Sequence, residues 1–393
     1  MRVLWLTSWY PGKVGFLDGD FIERHAESAS IYDNIFIIHV VKSPVLVKNK
    51  IEIEERIYSP SFTAWICYYP SYGKYGKIVD GFISNILFCR LHYKAYRNYK
   101  NRFGKPEGIL VQVGLKAGIM AVLYKKIYSI PYLLFERWTG FLQEAKPNFT
   151  ELSKIKRWLW KTILKQSVKL VTVSDYFGAE INRLHFKKEY EVIPNMIRSS
   201  LFFPVKKEKD NYFRFIHVSN MDYQKNFEDV LGALQIVVKK DNVACKMEIY
   251  GPVSKSILQL TSQLGLEDTV LYGGEVKHEK IALAMQGADA LVLYSRYETF
   301  GNVIIEANAC GLPVIVSDHP VFKEIVQEGI TGIVVKGGSP QLLADKMEWL
   351  INNYSNFNAA QICSVVTEKY SGEHIGKLFN KLFARSFKNK NNL

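Results

Sequence analysis

The sequence predicts an α/β protein made of two doubly wound, Rossmann-like domains, each a parallel sheet with helices on both faces. Three observations carry that reading. Short apolar runs bounded by turns alternate with helix-period patterns along the chain. The alternation restarts after Pro194-Asn195. The length of 393 residues suits two domains, and a hydrophobic share of 48% gives each a core.

In the first half the apolar runs predict strands over 2–7, 35–41, 108–113, 131–135, 168–174 and 190–193, with helices over 20–31, 78–100, 115–127, 151–165 and 176–184. In the second half strands are expected at 213–218, 246–250, 269–272, 289–293, 313–317 and 332–335, with helices at 226–239, 254–264, 278–287, 302–310 and 339–352. Lys206-Lys207-Glu208-Lys209-Asp210-Asn211 reads as a linker, and Lys388 to Leu393 as a frayed tail. Ligands of doubly wound sheets bind at the carboxyl ends of the strands, where helix N-termini offer backbone N–H groups, so chemistry is expected there.

No apolar run reaches the roughly 18 residues of a membrane span. The opening Met1 to Leu6 is too short for a signal-peptide core and reads as a buried strand, predicting a cytoplasmic protein without export. Cys67, Cys89, Cys245, Cys310 and Cys363 lie far apart with no CxxC pair, which argues against disulfides and structural zinc. Cys310 reads as a small buried thiol. The net charge of +13 is uneven, because residues 1–200 hold 30 Lys and Arg against 17 Asp and Glu. A basic half attracts nucleic acid, anionic lipid or an acidic small substrate, and charge alone does not choose.

The most informative stretch runs from Ser295 to Val314. It follows the apolar strand Ala290 to Leu293, turns through Thr299, Phe300 and Gly301, and enters a helix at Asn302 that Gly311 and Pro313 end. Glu298 then sits in the loop and Glu306 about a turn into the helix. A helix N-terminus carries about half a positive charge and suits a diphosphate. Carboxylates on either side accept hydrogen bonds from sugar and ribose hydroxyls. Without those partners, Glu306 would be an ordinary solvated helix residue and Glu298 a loop carboxylate.

This stretch resembles the E-x7-E signature of the retaining family-four glycosyltransferases, through Glu298, Phe300-Gly301, Glu306-Ala307, Ala309-Cys310-Gly311 and Pro313-Val314 in order. The resemblance is firm from about 168 to 352 and looser before that. It implies the GT-B fold, two Rossmann-like domains facing a central cleft: residues 1–196 as acceptor domain, 197–370 as nucleotide-sugar donor domain, and 371–393 as a helix crossing back to the first domain plus the tail. It implies that Glu306 binds the nucleotide ribose and that Glu298 faces the donor sugar. Thr299, Phe300, Gly301 and Asn302 would border the diphosphate.

Other segments extend the resemblance. In Val218 to Asn226, Lys225 matches a lysine that serves the donor phosphates, whereas Asn220 stands where an arginine is usual. A second cation would then come from elsewhere, Arg296 or Arg137. Gly251, after Ile249-Tyr250, resembles a strand end lining the base pocket. Gly19-Asp20-Phe21 resembles a Gly-x-Phe element facing the diphosphate or acceptor. Ser174, Val192 to Asn195 and Glu324 to Gly332 resemble packing elements. Arg137 stands where many relatives have histidine, as does Gln112. An arginine can bind phosphate bidentately but cannot act as a general base; the plainer role for Arg137 is an ion pair with Glu136 or another acid.

The resemblance implies transfer of a sugar from a nucleoside-diphosphate sugar to a saccharide or lipid-linked saccharide, with retention, in polysaccharide or glycan synthesis. Catalysis would rest on Glu298, Lys225 and Arg137. Nothing resembles a DxD site, so no metal and no cofactor are expected. Basic residues cluster with aromatics at Tyr72 to Lys77, Arg90 to Arg97 and Lys154 to Lys161. They suit an anionic membrane surface, or are solvated helix faces over core aromatics. Rival readings are an epimerase or phosphorylase of the same fold, against which the E-x7-E stretch speaks, and a polyanion-binding protein, for which no nucleic-acid recognition motif is present.

Overall fold

The computed structural model describes residues 1–15, 18–43, 50–70, 76–207, 211–240 and 244–387. The middle of the linker segment (208–210), the tail from 388 and the aromatic-basic residues Tyr72 to Tyr75 lie outside the described residues. The chain divides into two compact units: residues 1–141, 147–196 and 372–393, and residues 142–146 and 197–371.

The first unit contains strands β1 (Arg2–Thr7), β2 (Asn34–Ser43), β3 (Glu52–Ser59), β4 (Phe62–Pro70), β5 (Gly108–Gln112), β6 (Tyr132–Phe135), β7 (Leu170–Thr172) and β8 (Tyr190–Val192). They form one sheet in the order β3-β4-β2-β1-β5-β6-β7-β8, parallel except for the pairing of β3 with β4. Helices α1 (Asp20–Ala29), α2 (Lys77–Phe103), α3 (Ala117–Tyr128), α4 (Lys154–Gln166) and α5 (Asp175–Ile181) connect them. The central strands are buried on both faces, so β1 and β5 read as unbroken apolar runs. The antiparallel pair was not among the expected strands. β3 alternates Ile with Glu and Arg, the charged, half-exposed pattern of an edge strand that resists pairing with other chains.

The second unit contains β9 (Phe213–Val218), β10 (Cys245–Tyr250), β11 (Val270–Gly274), β12 (Ala290–Leu293), β13 (Val314–Ser317) and β14 (Gly332–Val335), all parallel, in the order β11-β10-β9-β12-β13-β14. Its helices are α6 (Phe227–Val238), α7 (Lys255–Gln263), α8 (His278–Gly287), α9 (Asn302–Ala309), α10 (Pro320–Ile325), α11 (Pro340–Asn352) and α12 (Ala359–Tyr370). Phe215, Leu231, Met247, Ile249, Val292, Ile315 and Met347 belong to its fully buried core. Strand order reverses between β9 and β12, and a doubly wound sheet opens its ligand crevice at such a point.

Helix α13 (Gly372–Phe387) belongs to the first unit. Its Phe379 packs against Trp5, His25 and Phe135. Gly376 lets it lie close on α1, since a Cβ there would stand 2.3 Å from the Ser28 carbonyl oxygen.

Candidate functional site

At the reversal point two loops leave the second sheet, one after β9 and one after β12. The first is held from beneath by His217, fully buried on β9. Its Nδ1 lies 2.8 Å from the Val292 carbonyl oxygen on β12 and must donate, so Nε2 accepts from the Ser219 hydroxyl at 2.7 Å. Ser219 Oγ in turn accepts the Met221 N–H at 2.9 Å. Burial holds the imidazole near a pKa of about 4, so this chain of bonds stays in one tautomer at neutral pH. The loop it anchors contains two left-handed non-glycine residues, Met221 (φ 50°) and Asn226 (φ 52°). Asp222 caps the turn Tyr223–Lys225.

The second loop is laid against the first. The Arg296 N–H donates to the Gln224 carbonyl at 2.8 Å, and its guanidinium donates to the Tyr223 carbonyl at 2.6 Å and to Glu228 at 2.8 Å. Arg296, a candidate second cation, is thus a strap between loops. Lys225 Nζ donates to Glu298 Oε1, which also accepts from the Ser295 hydroxyl at 3.4 Å. Ser317 on β13 fixes the Ser295 carbonyl at 2.7 Å. Asn220 is exposed and bonds Asp222 at 2.8 Å.

The loop ends at Gly301, the N-cap of α9, with φ 103°. Phe300 is buried and packs edge-on against Tyr370, leaving its backbone as the part that can serve a ligand. The first turn of α9 carries no acidic side chain, so the positive end of its dipole is not offset there. The first turn of α6 holds Glu228 and Asp229, which offset that helix. Glu306 is 2% exposed on α9, so it is no solvated helix residue. Gly251 has φ 128°, and a Cβ there would stand 1.8 Å from the Ser219 carbonyl oxygen. Glycine is required for the turn after β10 to run this close to the loop after β9. His319, one residue before α10, was not expected at the site; it feels the charge of Glu298, and burial lowers its pKa. Cys310 is a buried thiol whose pKa is pushed up to about 12.

Arg137 and Gly19 belong to the first unit. Gly19 caps α1 with φ 73°, against the backbone of Trp9. Arg137 is buried, its guanidinium shared among Gln112 Oε1 at 3.2 Å, Asn195 Oδ1 and His25 Nδ1, over the Phe135 ring. Burial and the guanidinium charge hold His25 neutral, and its Nε2–H donates to the Pro194 carbonyl at 3.0 Å. The ion pair expected with Glu136 does not form. That carboxylate instead accepts the N–H groups of Gly114, Arg137 and Trp138 and the Trp160 indole N–H at 2.9–3.1 Å.

The two parallel-sheet units have the fold class named GT-B. Two solved structures match nearly the whole chain. Sucrose-phosphate synthase of Thermosynechococcus elongatus has a TM-score of 0.76 at 19% identity, covering 98% of this chain and 100% of that one. Anabaena Alr3699/HepE in complex with UDP and glucose has a TM-score of 0.71 at 15% identity, covering 98% and 99%. At these identities the likeness is one of fold. In sequence, residues 199–364 match the family model of glycosyl transferases group 1, in line with the family-four resemblance.

Among curated relatives, N-acetyl-alpha-D-glucosaminyl L-malate synthase of Bacillus anthracis is 30% identical over 174 residues, 42% of this chain and 45% of that one. The O-antigen chain mannosyltransferase RfbU of Salmonella typhimurium is 30% identical over 229 residues, 56% and 63%. The chain spans about half the length of the curated relatives it matches.

Proposed function

We propose that this chain is a retaining glycosyltransferase that moves a sugar from a nucleoside-diphosphate sugar to a saccharide or lipid-linked saccharide, in polysaccharide or glycan synthesis. The observation that supports it most is the uncompensated leading end of α9 beside the Lys225–Glu298 pair at the sheet's reversal point. In this reading the amides of Thr299 to Asn302 and the Lys225 ammonium receive the negative charge that grows on the leaving diphosphate. Glu306 accepts the ribose hydroxyls and Glu298 the sugar hydroxyls. No side chain is assigned as nucleophile; a donor phosphate oxygen takes the acceptor's proton on the face from which the diphosphate leaves. Arg137 sets the shape of its own unit through His25 and Asn195.

The HepE structure was solved with UDP, which makes UDP the first nucleotide to test. Melting is measured with UDP, GDP, ADP and their sugars, and transfer is then assayed with the stabilising donor. Lys225→Ala and Glu298→Ala are expected to remain folded and lose transfer; full activity in both rejects the reading. The anomeric configuration of the product, read by NMR, decides retention.

A further inference from the structure

We infer that Tyr223 is the stacking platform for an uncharged sugar ring of the acceptor, whose hydroxyl groups Asp222 and Asn220 hold. This rests on the glycosyltransferase reading of the same site and adds to it the class of acceptor, a neutral saccharide in preference to an acidic one.

Tyr223 stands two residues before Lys225 on the loop after β9 and is 66% exposed. Its backbone is nonetheless pinned. The Tyr223 carbonyl accepts the Arg296 guanidinium at 2.6 Å, and the Gln224 carbonyl accepts the Arg296 N–H at 2.8 Å. Asp222 closes the turn, its carbonyl and its carboxylate accepting the Lys225 N–H at 2.9 and 3.3 Å. The turn lies between the left-handed residues Met221 and Asn226, a backbone that persists where surrounding bonds over-determine it. The guanidinium carbon of Arg296 lies 4.3 Å from the centre of the Tyr223 ring, so one face is covered and the other is turned to solvent. A flat apolar face already fixed in place spares a weak ligand the cost of ordering it.

A sugar ring presents a face of C–H bonds and a rim of hydroxyl groups, so it binds where an aromatic ring adjoins hydrogen-bond acceptors. Asp222 and Asn220 supply them. The Asn220 amide donates to Asp222 Oδ2 at 2.8 Å, both residues are exposed, and each carboxylate oxygen keeps a further lone pair.

Charge then selects the sugar. The cations of these loops are paired, Lys225 with Glu298 and Arg296 with Glu228. An arginine at position 220 would balance Asp222, and asparagine does not. A second carboxylate stands near. Residues 142–146 belong to the second unit, with Leu142 and Ala145 buried and Glu144 exposed. Burial, followed by the charges of Asp222, Glu298 and Glu144, raises the pKa of Tyr297, which places these acids around one tyrosine beside the platform. An acidic sugar on Tyr223 meets repulsion from Asp222 and Glu144, whereas a neutral one finds partners for its hydroxyls.

The full chain is saturated with UDP, or with whichever of GDP and ADP raises its melting temperature, and saccharide binding is read by saturation-transfer NMR at low salt. The probes are methyl glucoside, galactoside and mannoside against methyl glucuronide and galacturonide. Transfer to the ring C–H groups of the neutral glycosides is expected, and several-fold less to the uronides. Tyr223→Ala should weaken neutral binding, and raise the acceptor KM, about tenfold, with the nucleotide's melting shift retained. Tyr223→Phe should bind as the parent does. Tyr223→Leu, which keeps bulk without a flat ring, should behave as Tyr223→Ala and stands in if that variant does not fold. Asp222→Asn, which still caps the turn, should close most of the gap between uronides and neutral glycosides. A parent that no nucleotide stabilises overturns the inference together with the glycosyltransferase reading. With that shift present, four results overturn the inference alone: no neutral glycoside binding, uronides binding as well as neutral glycosides, binding unmoved by Tyr223→Ala and Tyr223→Leu, or a nucleotide shift lost in Tyr223→Ala, which assigns the ring to the base.

Discussion

Lys225 and Glu298, 73 residues apart in the chain, form an ion pair across the two loops that leave the second sheet at its reversal point. Each lies at the end of a segment fixed by other bonds: His217 and Ser219 under one loop, Ser317 and Arg296 under the other. Their side chains are 19% and 7% exposed, so the pair is partly desolvated and its members depend on each other. Replacing either alone should cost about 1–3 kcal/mol, because the survivor is left uncompensated. The Lys225→Met, Glu298→Gln double variant should lose less than the two single losses combined, measured by urea unfolding.

The bonds through His217 make a separate prediction. Ser219→Ala breaks both the bond to His217 and the bond from the Met221 N–H, and should cost about 1–2 kcal/mol. Because Met221 then loses what holds its left-handed backbone, affinity for the stabilising nucleotide should fall about tenfold, read by calorimetry. Adding His217→Phe to Ser219→Ala should change affinity little further. An additive loss would mean that the two residues act separately.

Gly251→Ala should be among the most destabilising single changes in the second unit. A methyl group there meets the Ser219 carbonyl oxygen in a backbone region that alanine disfavours, at a cost of about 3 kcal/mol or more. Gly265→Ala is the control. It has positive φ (66°) with nothing within 4 Å, so strain is its sole cost, about 1 kcal/mol.

Acid should destabilise the protein through buried histidines. Burial holds His39 near 4, His92 near 3 and His217 near 4. In the unfolded chain each takes a proton near pH 6.5, while in the fold none does until about pH 4. Their contribution is therefore complete above pH 6.5 and is lost as pH falls towards 4, by up to about 4 kcal/mol per pH unit for the three together. Tm measured from pH 8 to 4.5 should be level and then drop. His92, with neither ring nitrogen hydrogen-bonded, is the sharpest test: His92→Leu should raise Tm and shallow the acid limb.

The parallel strands and the Ser295–Val314 stretch were legible because both are local signals: buried apolar runs, and a strand, loop and helix whose end Gly311 marks. The pair β3–β4 was not, since alternating Glu and Ile at a sheet edge looks like a polar loop until its partner is known. Helix α12 escaped because Ile362, Val365, Val366 and Thr367 are branched at Cβ and weaken the helical signal. Glu136 and Arg137 do not pair through their side chains for a physical reason: successive residues at a strand end point to opposite sides. His217 lies inside the expected strand 213–218 and gives no signal of its own there. Ser219 lay two positions on, on the same side of the strand, and was the available clue.

The placement of α13 sets an order of events during synthesis. Ile375, Phe379, Leu382 and Phe383 are buried in the first unit, yet the ribosome makes them after everything in the second. The segment begun earliest therefore stays unfinished, with Trp5, His25 and Phe135 uncovered, until its neighbour has been translated. The later-made Rossmann unit is the one able to mature first, and a nascent chain halted near residue 370 would expose the apolar floor on which α13 belongs.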